Sequence, residues 1–293
     1  MRREGDERHR RAAALTISRH RAGPGRAPAF LLAFALPTVV AFAACGSSTP
    51  PSSPGTVISA FVAASLRDVL SALGPAYTEA SGVQIQTSAD ASTTLRVQIE
   101  QGAEADVFLS ADTVNPETLL AGGRVDGGLV LFAQSSLAII APKNNPAGIS
   151  SALDLGRPGV KIVAAGGGAP ITGYADRLVR QLARLAADPS AFVATYAANV
   201  VTREDNVKAV VAKIALGEGD AAIVYATDAL AATSILVIPV PAGSNILATY
   251  AGVVPSTARH PGDGHRFLDW LAGAPGQAIL ARFGFVPLIP GPS

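Results

Sequence analysis

From Val57 onward, runs of strand character alternate with runs of helical spacing, and this alternation restricts the fold more than any other feature of the chain. "VISAFVA" is an apolar run of strand length. Behind it Leu66, Val69, Leu70, Leu73 and Tyr77 recur at helical spacing. "VQIQTSA", "ADVFLSA", "SLAIIAPK", "VKIVAAG", "ANVVT", "AAIVYAT" and "ILVIPVP" read as further strands. Helical patterns fall between them, notably Tyr174–Ala186 and Val207–Leu216. The last segment, "HRFLDWLAGAPGQAILARFGF", reads as two helices broken at Gly273–Pro275. Such alternation predicts an α/β fold of mixed, mainly parallel sheets with helices on both faces. Sheets of this kind bind ligands at the carboxyl ends of their strands. The length suits two lobes of similar size with a cleft between them.

The first 45 residues have the pattern of an export signal. Eight arginines precede residue 27, and the apolar run "FLLAFALPTVVAFAAC" ends at Cys45, the only cysteine. That run contains Pro37 and is short for a membrane-spanning helix. The pattern resembles a bacterial lipoprotein signal, which implies lipid attachment at Cys45; an ordinary signal with an incidental cysteine is the alternative. Residues 46–56, rich in Ser, Pro and Gly, read as a disordered linker. Beyond Arg26 the chain has 15 basic against 19 acidic residues, an acidic balance that argues against nucleic-acid binding.

The sequence offers little for catalysis. G-x-S-x-G, phosphate-loop and dinucleotide patterns do not occur. His260 and His265 lie in a polar Pro/Gly-rich stretch without zinc-ligand spacing and read as surface residues. Asp106 and Asp112, flanking a strand end, read as turn or cap residues. What recurs instead is a strand end, a small or hydroxyl residue, and a helix start. It occurs at "VAASL" (Ser65), "SADASTTL" (Ser92), "GGAPITGY" and "REDNVKAVV", where Asp205 or Asn206 can cap the helix. Each first turn offers unpaired N–H groups and the positive end of a helix dipole. Converging on one cleft, they would form a cage of neutral donors for an oxyanion. Each serine taken alone is equally explained as a helix cap.

These stretches resemble the molybdate-binding proteins of bacterial ABC uptake systems. The resemblance rests on "FVAASL", "STTLRVQIEQGAEADVFLSAD", "SLAIIAPK", "ITGYADRLVRQL", "NVKAVVAKIALGEGDAAIVYATDA" and "FLDWLAGAPGQAILARFGF", and covers nearly all of Val57–Leu288. It implies a two-lobed periplasmic binding protein of the type II kind: 57–136 with 241–293 as lobe 1, and 137–240 as lobe 2. It implies one tetrahedral oxyanion, molybdate or tungstate, held without cofactor or direct metal ligation. The implied ligands are the hydroxyls of Ser65 and Ser92, backbone N–H groups near Ile171 and at Val207, and the hydroxyl of Tyr225. Without the resemblance, Tyr225 reads as a core tyrosine with a bonded hydroxyl. The implied partners are a membrane permease and its ATPase, served by a monomer that performs no catalysis outside the cytoplasmic membrane.

Two departures bear on the site. Asp90 places an acid near the proposed anion, either capping a helix or facing the ligand. Thr172 adds a hydroxyl beside Ile171. Arg67 and Lys208 lie in first turns but are not taken as ligands. Other readings remain: a sulfate receptor, a ferric-ion receptor (disfavoured because Tyr225 has no adjacent tyrosine), a hydroxymethylbilane synthase (disfavoured by the position of the only cysteine), or a sensor domain.

Overall fold

The computed structural model describes residues 55–288. The expected signal (1–45), all but the end of the linker (46–56) and Cys45 lie outside the described residues. Strand β1 (Val57–Ala63) runs parallel to β2 (Gln84–Asp90) on one side and β3 (Val107–Ser110) on the other. A 3-10 turn, Ala64–Leu66, leads from β1 into helix α1 (Arg67–Ser81). Helix α2 (Ser92–Glu100) leaves β2 after one residue, and α3 (Val114–Ala121) follows β3. All four residues of β3 are buried, as a strand covered on both faces must be.

The long strand β4 (Val125–Pro142) then crosses the molecule. It pairs antiparallel with β9 (Leu247–Pro255) from Val125 to Ser136. From Leu137 it pairs with β7 (Ala222–Tyr225) and from Ile139 also with β8 (Ile235–Ile238), both antiparallel. A separate parallel pair, β5 (Ile162–Ala165) and β6 (Val200–Glu204), meets the start of β7 through the bridge Ile162–Ala221. The remaining helices are α4 (Pro170–Ala183), α5 (Pro189–Asn199), α6 (Val207–Leu216), α7 (Ala226–Ala231), α8 (Pro261–Ala272) and α9 (Ala274–Arg282). None of the described helices is long and apolar enough to cross a membrane.

The sheets are mixed, with a smaller parallel share than the alternation implies. β4 and β9 account for the difference: every pairing either makes is antiparallel. β4 is longer than "SLAIIAPK" suggests, β9 joins the expected strands, and α4 begins at Pro170 rather than Tyr174. Pro170 fits that first turn because its missing N–H has no partner to lose there.

One large apolar core runs through the described residues, and Leu95, Ile99, Phe108, Leu119 and Val253 form a smaller separate one. Tyr77 of α1 meets Phe267 and Trp270 of α8 at ring separations of 5.0 and 5.2 Å. Tyr250 of β9 sits among Phe132, Tyr225 and Phe285. α8 approaches β3 closely because it carries Gly264: a methyl there would lie 2.5 Å from the Asp106 carbonyl oxygen. Backbone cannot yield cheaply, so Gly264→Ala is expected to lower unfolding stability by about 1–3 kcal/mol, read from urea melts.

Candidate ligand-binding site

Six chain segments meet at one small pocket. Its wall includes Ser65 from the turn after β1, Ser92 from α2, Ile171 from α4, Val207 from α6 and Tyr225 from the end of β7. All five residues expected to hold a ligand are thus brought together, from segments as far apart in sequence as 65 and 225.

Neither serine serves as a cap. The residue preceding the 3-10 turn is Ala63, and the residue preceding α2 is Ala91; neither start is closed by a side chain. Both serines are buried, and both hydroxyl oxygens already accept a bond. The Tyr250 hydroxyl donates to Ser65 Oγ at 3.1 Å. The Ala111 N–H donates to Ser92 Oγ at 3.1 Å. With an acceptor position filled, each hydroxyl proton is left to donate. Tyr225 is 1% exposed, and its hydroxyl has no hydrogen-bond partner. A buried hydroxyl without a partner costs stability, so its presence on the cavity wall points to a ligand that accepts from it. Burial holds the Tyr225 and Tyr250 hydroxyls well above the ordinary tyrosine range, so both stay protonated donors at neutral pH.

The helix starts add backbone donors. α4 begins behind Ala169 without a side-chain cap, which leaves the Ile171 N–H at the cavity. At α6 the cap is Asn206, whose Oδ1 accepts from Lys208 N and Ala209 N at 3.1 and 3.2 Å. The Val207 N–H, one position earlier, is not among the donors that Asn206 satisfies.

The departures resolve as follows. Thr172 donates its hydroxyl to the carbonyls of Ala165 (3.1 Å) and Gly166 (2.7 Å), closing the strand end rather than facing the cavity. Asp90 does reach the cavity wall. Its Oδ1 accepts from Ala91 N at 2.7 Å and from Asn206 Nδ2 at 3.4 Å, so it joins the end of β2 to the cap of α6. It is the only charged residue on that wall. Arg67 is exposed, and Lys208 turns to carboxylates outside the cavity. Asp106 and Asp112 are structural: Asp106 accepts from Ser59 N and His260 N, Asp112 from Ser110 Oγ and Asn115 N. His260 precedes α8 and half-buried His265 faces Asp126; no metal-ligand cluster occurs among the described residues. Tyr250 and Ala111, which fix the two serine oxygens, were missed in the sequence. Tyr250 lies in the unrecognised strand β9, and Ala111 acts through its backbone.

The pocket gathers hydroxyls and first-turn N–H groups, with one carboxylate, where strands of an α/β fold hand over to helices; this donor set can hold a small anion. The chain belongs to the bacterial extracellular solute-binding protein family, whose pattern matches residues 58–286. The molybdate-binding protein ModA of Mycobacterium tuberculosis is 31% identical over 255 residues, covering 84% of this chain and 93% of the relative. Among solved structures, the periplasmic molybdate-binding protein of Azotobacter vinelandii matches with TM-score 0.65 at 20% identity, covering 80% of this chain and 99% of the other. The sulfate-binding protein SubI of Mycobacterium tuberculosis matches with TM-score 0.70 at 22% identity, covering 80% and 88%.

Proposed function

We propose that this protein captures molybdate, or the isosteric tungstate, outside the cytoplasmic membrane and delivers it to an ABC importer. The observation that carries the reading is the donor set: two serine hydroxyls whose protons are left to donate, an unpartnered tyrosine hydroxyl, and free first-turn N–H groups. A fully ionised tetrahedral dianion accepts from all of them and needs no acceptor in return. Phosphate retains a proton at neutral pH and needs an acceptor. The Asp90 oxygen with assigned bonds is already engaged by two N–H donors. Charge is met by dipoles rather than by a cation, since neither Arg nor Lys lines the cavity. The similarity to molybdate-binding relatives supports the choice among oxyanions.

In this reading residues 57–136 and 241–293 form one lobe and 137–240 the other. The change of β4 partner between Ser136 and Leu137 supports that division. Ligand closes the lobes, and the closed monomer docks on a permease driven by its ATPase. Residues 1–45 direct export, and lipid on Cys45 retains the protein at the membrane; firm retention needs more than one acyl chain.

Calorimetric titration of the exported domain with molybdate, tungstate, sulfate and phosphate tests the reading. Molybdate and tungstate are expected to bind at least about tenfold more tightly than sulfate, a gap of ~1.4 kcal/mol. Equal or tighter sulfate binding would assign the site to sulfate. Asp90→Asn bears on the same titration. Removing a negative charge from the wall is expected to tighten dianion binding by about tenfold. Weaker binding would instead show that the carboxylate chiefly holds Asn206 in place.

A further inference from the structure

Lys208 follows the candidate donor Val207 in the first turn of α6, yet its side chain is not part of the cavity wall. Its ammonium pairs with Asp68 of α1 and lies 2.7 Å from Asp228 Oδ1 of α7. The Asp228 side chain is fully buried, that of Lys208 is 18% exposed and that of Asp68 is 43% exposed. The Asp228 oxygens make no aligned hydrogen bond, so charge attraction to Lys208 is what compensates them.

The three elements meeting at this ammonium carry three of the five candidate ligands. Ser65 stands in the turn that opens into α1, Val207 is the first residue of α6, and Tyr225 is the residue from which α7 starts. α1 packs on β2 and α9, whereas α6 packs chiefly on β4, β5 and β7 and touches the α1 side only at the 3-10 turn of Ser65 among its larger contacts. The Asp68–Lys208 pair therefore joins helices seated on different parts of the fold. The Lys208–Asp228 pair joins neighbours, since α6 and α7 touch directly.

We propose that Lys208 is a positioning residue for the oxyanion site, with its ammonium tying α1 to α6 and α7 and so holding Ser65, Val207 and Tyr225 around the bound anion. The proposal rests on reading the cavity as that site. The two pairs have different tasks. Asp228 anchors the ammonium on the α6–α7 side, and Asp68 is the contact that must break when α1 moves away. Loss of Asp68 should speed release and leave capture unchanged, because the ammonium touches no ligand.

The test follows molybdate association and dissociation, on the exported domain, for wild type, Asp68→Asn and Asp68→Glu. Asp68 is partly exposed, so neither variant removes core packing. For Asp68→Asn, dissociation is expected to be about three- to fivefold faster in low salt, in line with a partly exposed pair. Association should stay within about twofold. The difference should shrink in ~1 M salt, where the pair is screened. Asp68→Glu, which keeps the charge, should dissociate near the wild-type rate. Wild-type dissociation in Asp68→Asn, or equal acceleration in both variants, would overturn the proposal while leaving the site intact. A wild-type protein that binds no tetrahedral oxyanion would overturn the site reading, and the tie with it.

Discussion

Ser92→Ala is expected to weaken molybdate binding by about 1.5–3 kcal/mol, roughly tenfold to a hundredfold, because a hydrogen bond to a charged acceptor is lost. Ser92 is completely buried, so water cannot take the place of its hydroxyl. The substitution also orphans the Ala111 N–H, which now donates to Ser92 Oγ. The ligand-free protein should therefore lose some stability as well. Tyr225→Phe separates the two effects. Its hydroxyl has no partner in the protein, so removing it spares the ligand-free fold a buried unsatisfied group. Affinity should fall by a similar factor, while the melting temperature without ligand holds steady or rises. Calorimetry paired with thermal melts reads both quantities. Unchanged molybdate affinity in both variants would remove the serine and the tyrosine from the site.

Lys208→Met is expected to destabilise the fold by about 3–5 kcal/mol at pH 8, the range for stripping a partner from a buried charge. Burial pushes the Asp228 carboxyl up to about 6, and the Lys208 ammonium is what keeps it from rising further. Between its ordinary value and about 6, folded Asp228 holds a proton that the unfolded chain has released. Stability therefore falls as pH rises through that window. Lys208 gives a slope of the same sign in a separate, more alkaline window. Its pKa is raised, against its own desolvation, by Asp228 and Asp68, so its contribution is present below the ordinary lysine value and is lost as pH climbs past the folded one. Without Lys208, Asp228 protonates at still higher pH, and a neutral carboxyl no longer needs the ammonium. The deficit of the variant should thus be greatest at pH 8 and shrink toward pH 5. Urea denaturation at the two pH values measures it; an equal deficit at both would show that the lost alkyl packing, not charge, is responsible.

Much of the site was legible because it is built from local grammar. Ser65, Ser92 and Val207 each sit where a strand pattern stops and a helical one starts, and Tyr225 ends the apolar run "AAIVY". What local reading could not supply was the state of each hydroxyl. The bond from Tyr250 to Ser65 spans 185 residues, and nothing in either neighbourhood announces it. The long strands were misjudged for a related reason. "VDGGLVLF" reads as no element, because its Gly pair interrupts the strand pattern; the chain nonetheless continues as strand, with Gly127 at φ 79° and a register shift between Asp126 and Val130. "SLAIIAPK" looked like a whole strand because its apolar run coincides with the stretch paired to β7 and β8. α6 was read correctly at both ends, since Asn206 and Gly217, at φ 76°, are strong stop signs.

One backbone, β4, is shared by the ladders on both sides of Ser136. Sliding it by a single residue would turn every side chain along it to the opposite face. Under the proposed closure the two ladders would keep their register on β4 and move only by flexing and twisting, so that the length of one strand would set the spacing of the cavity walls.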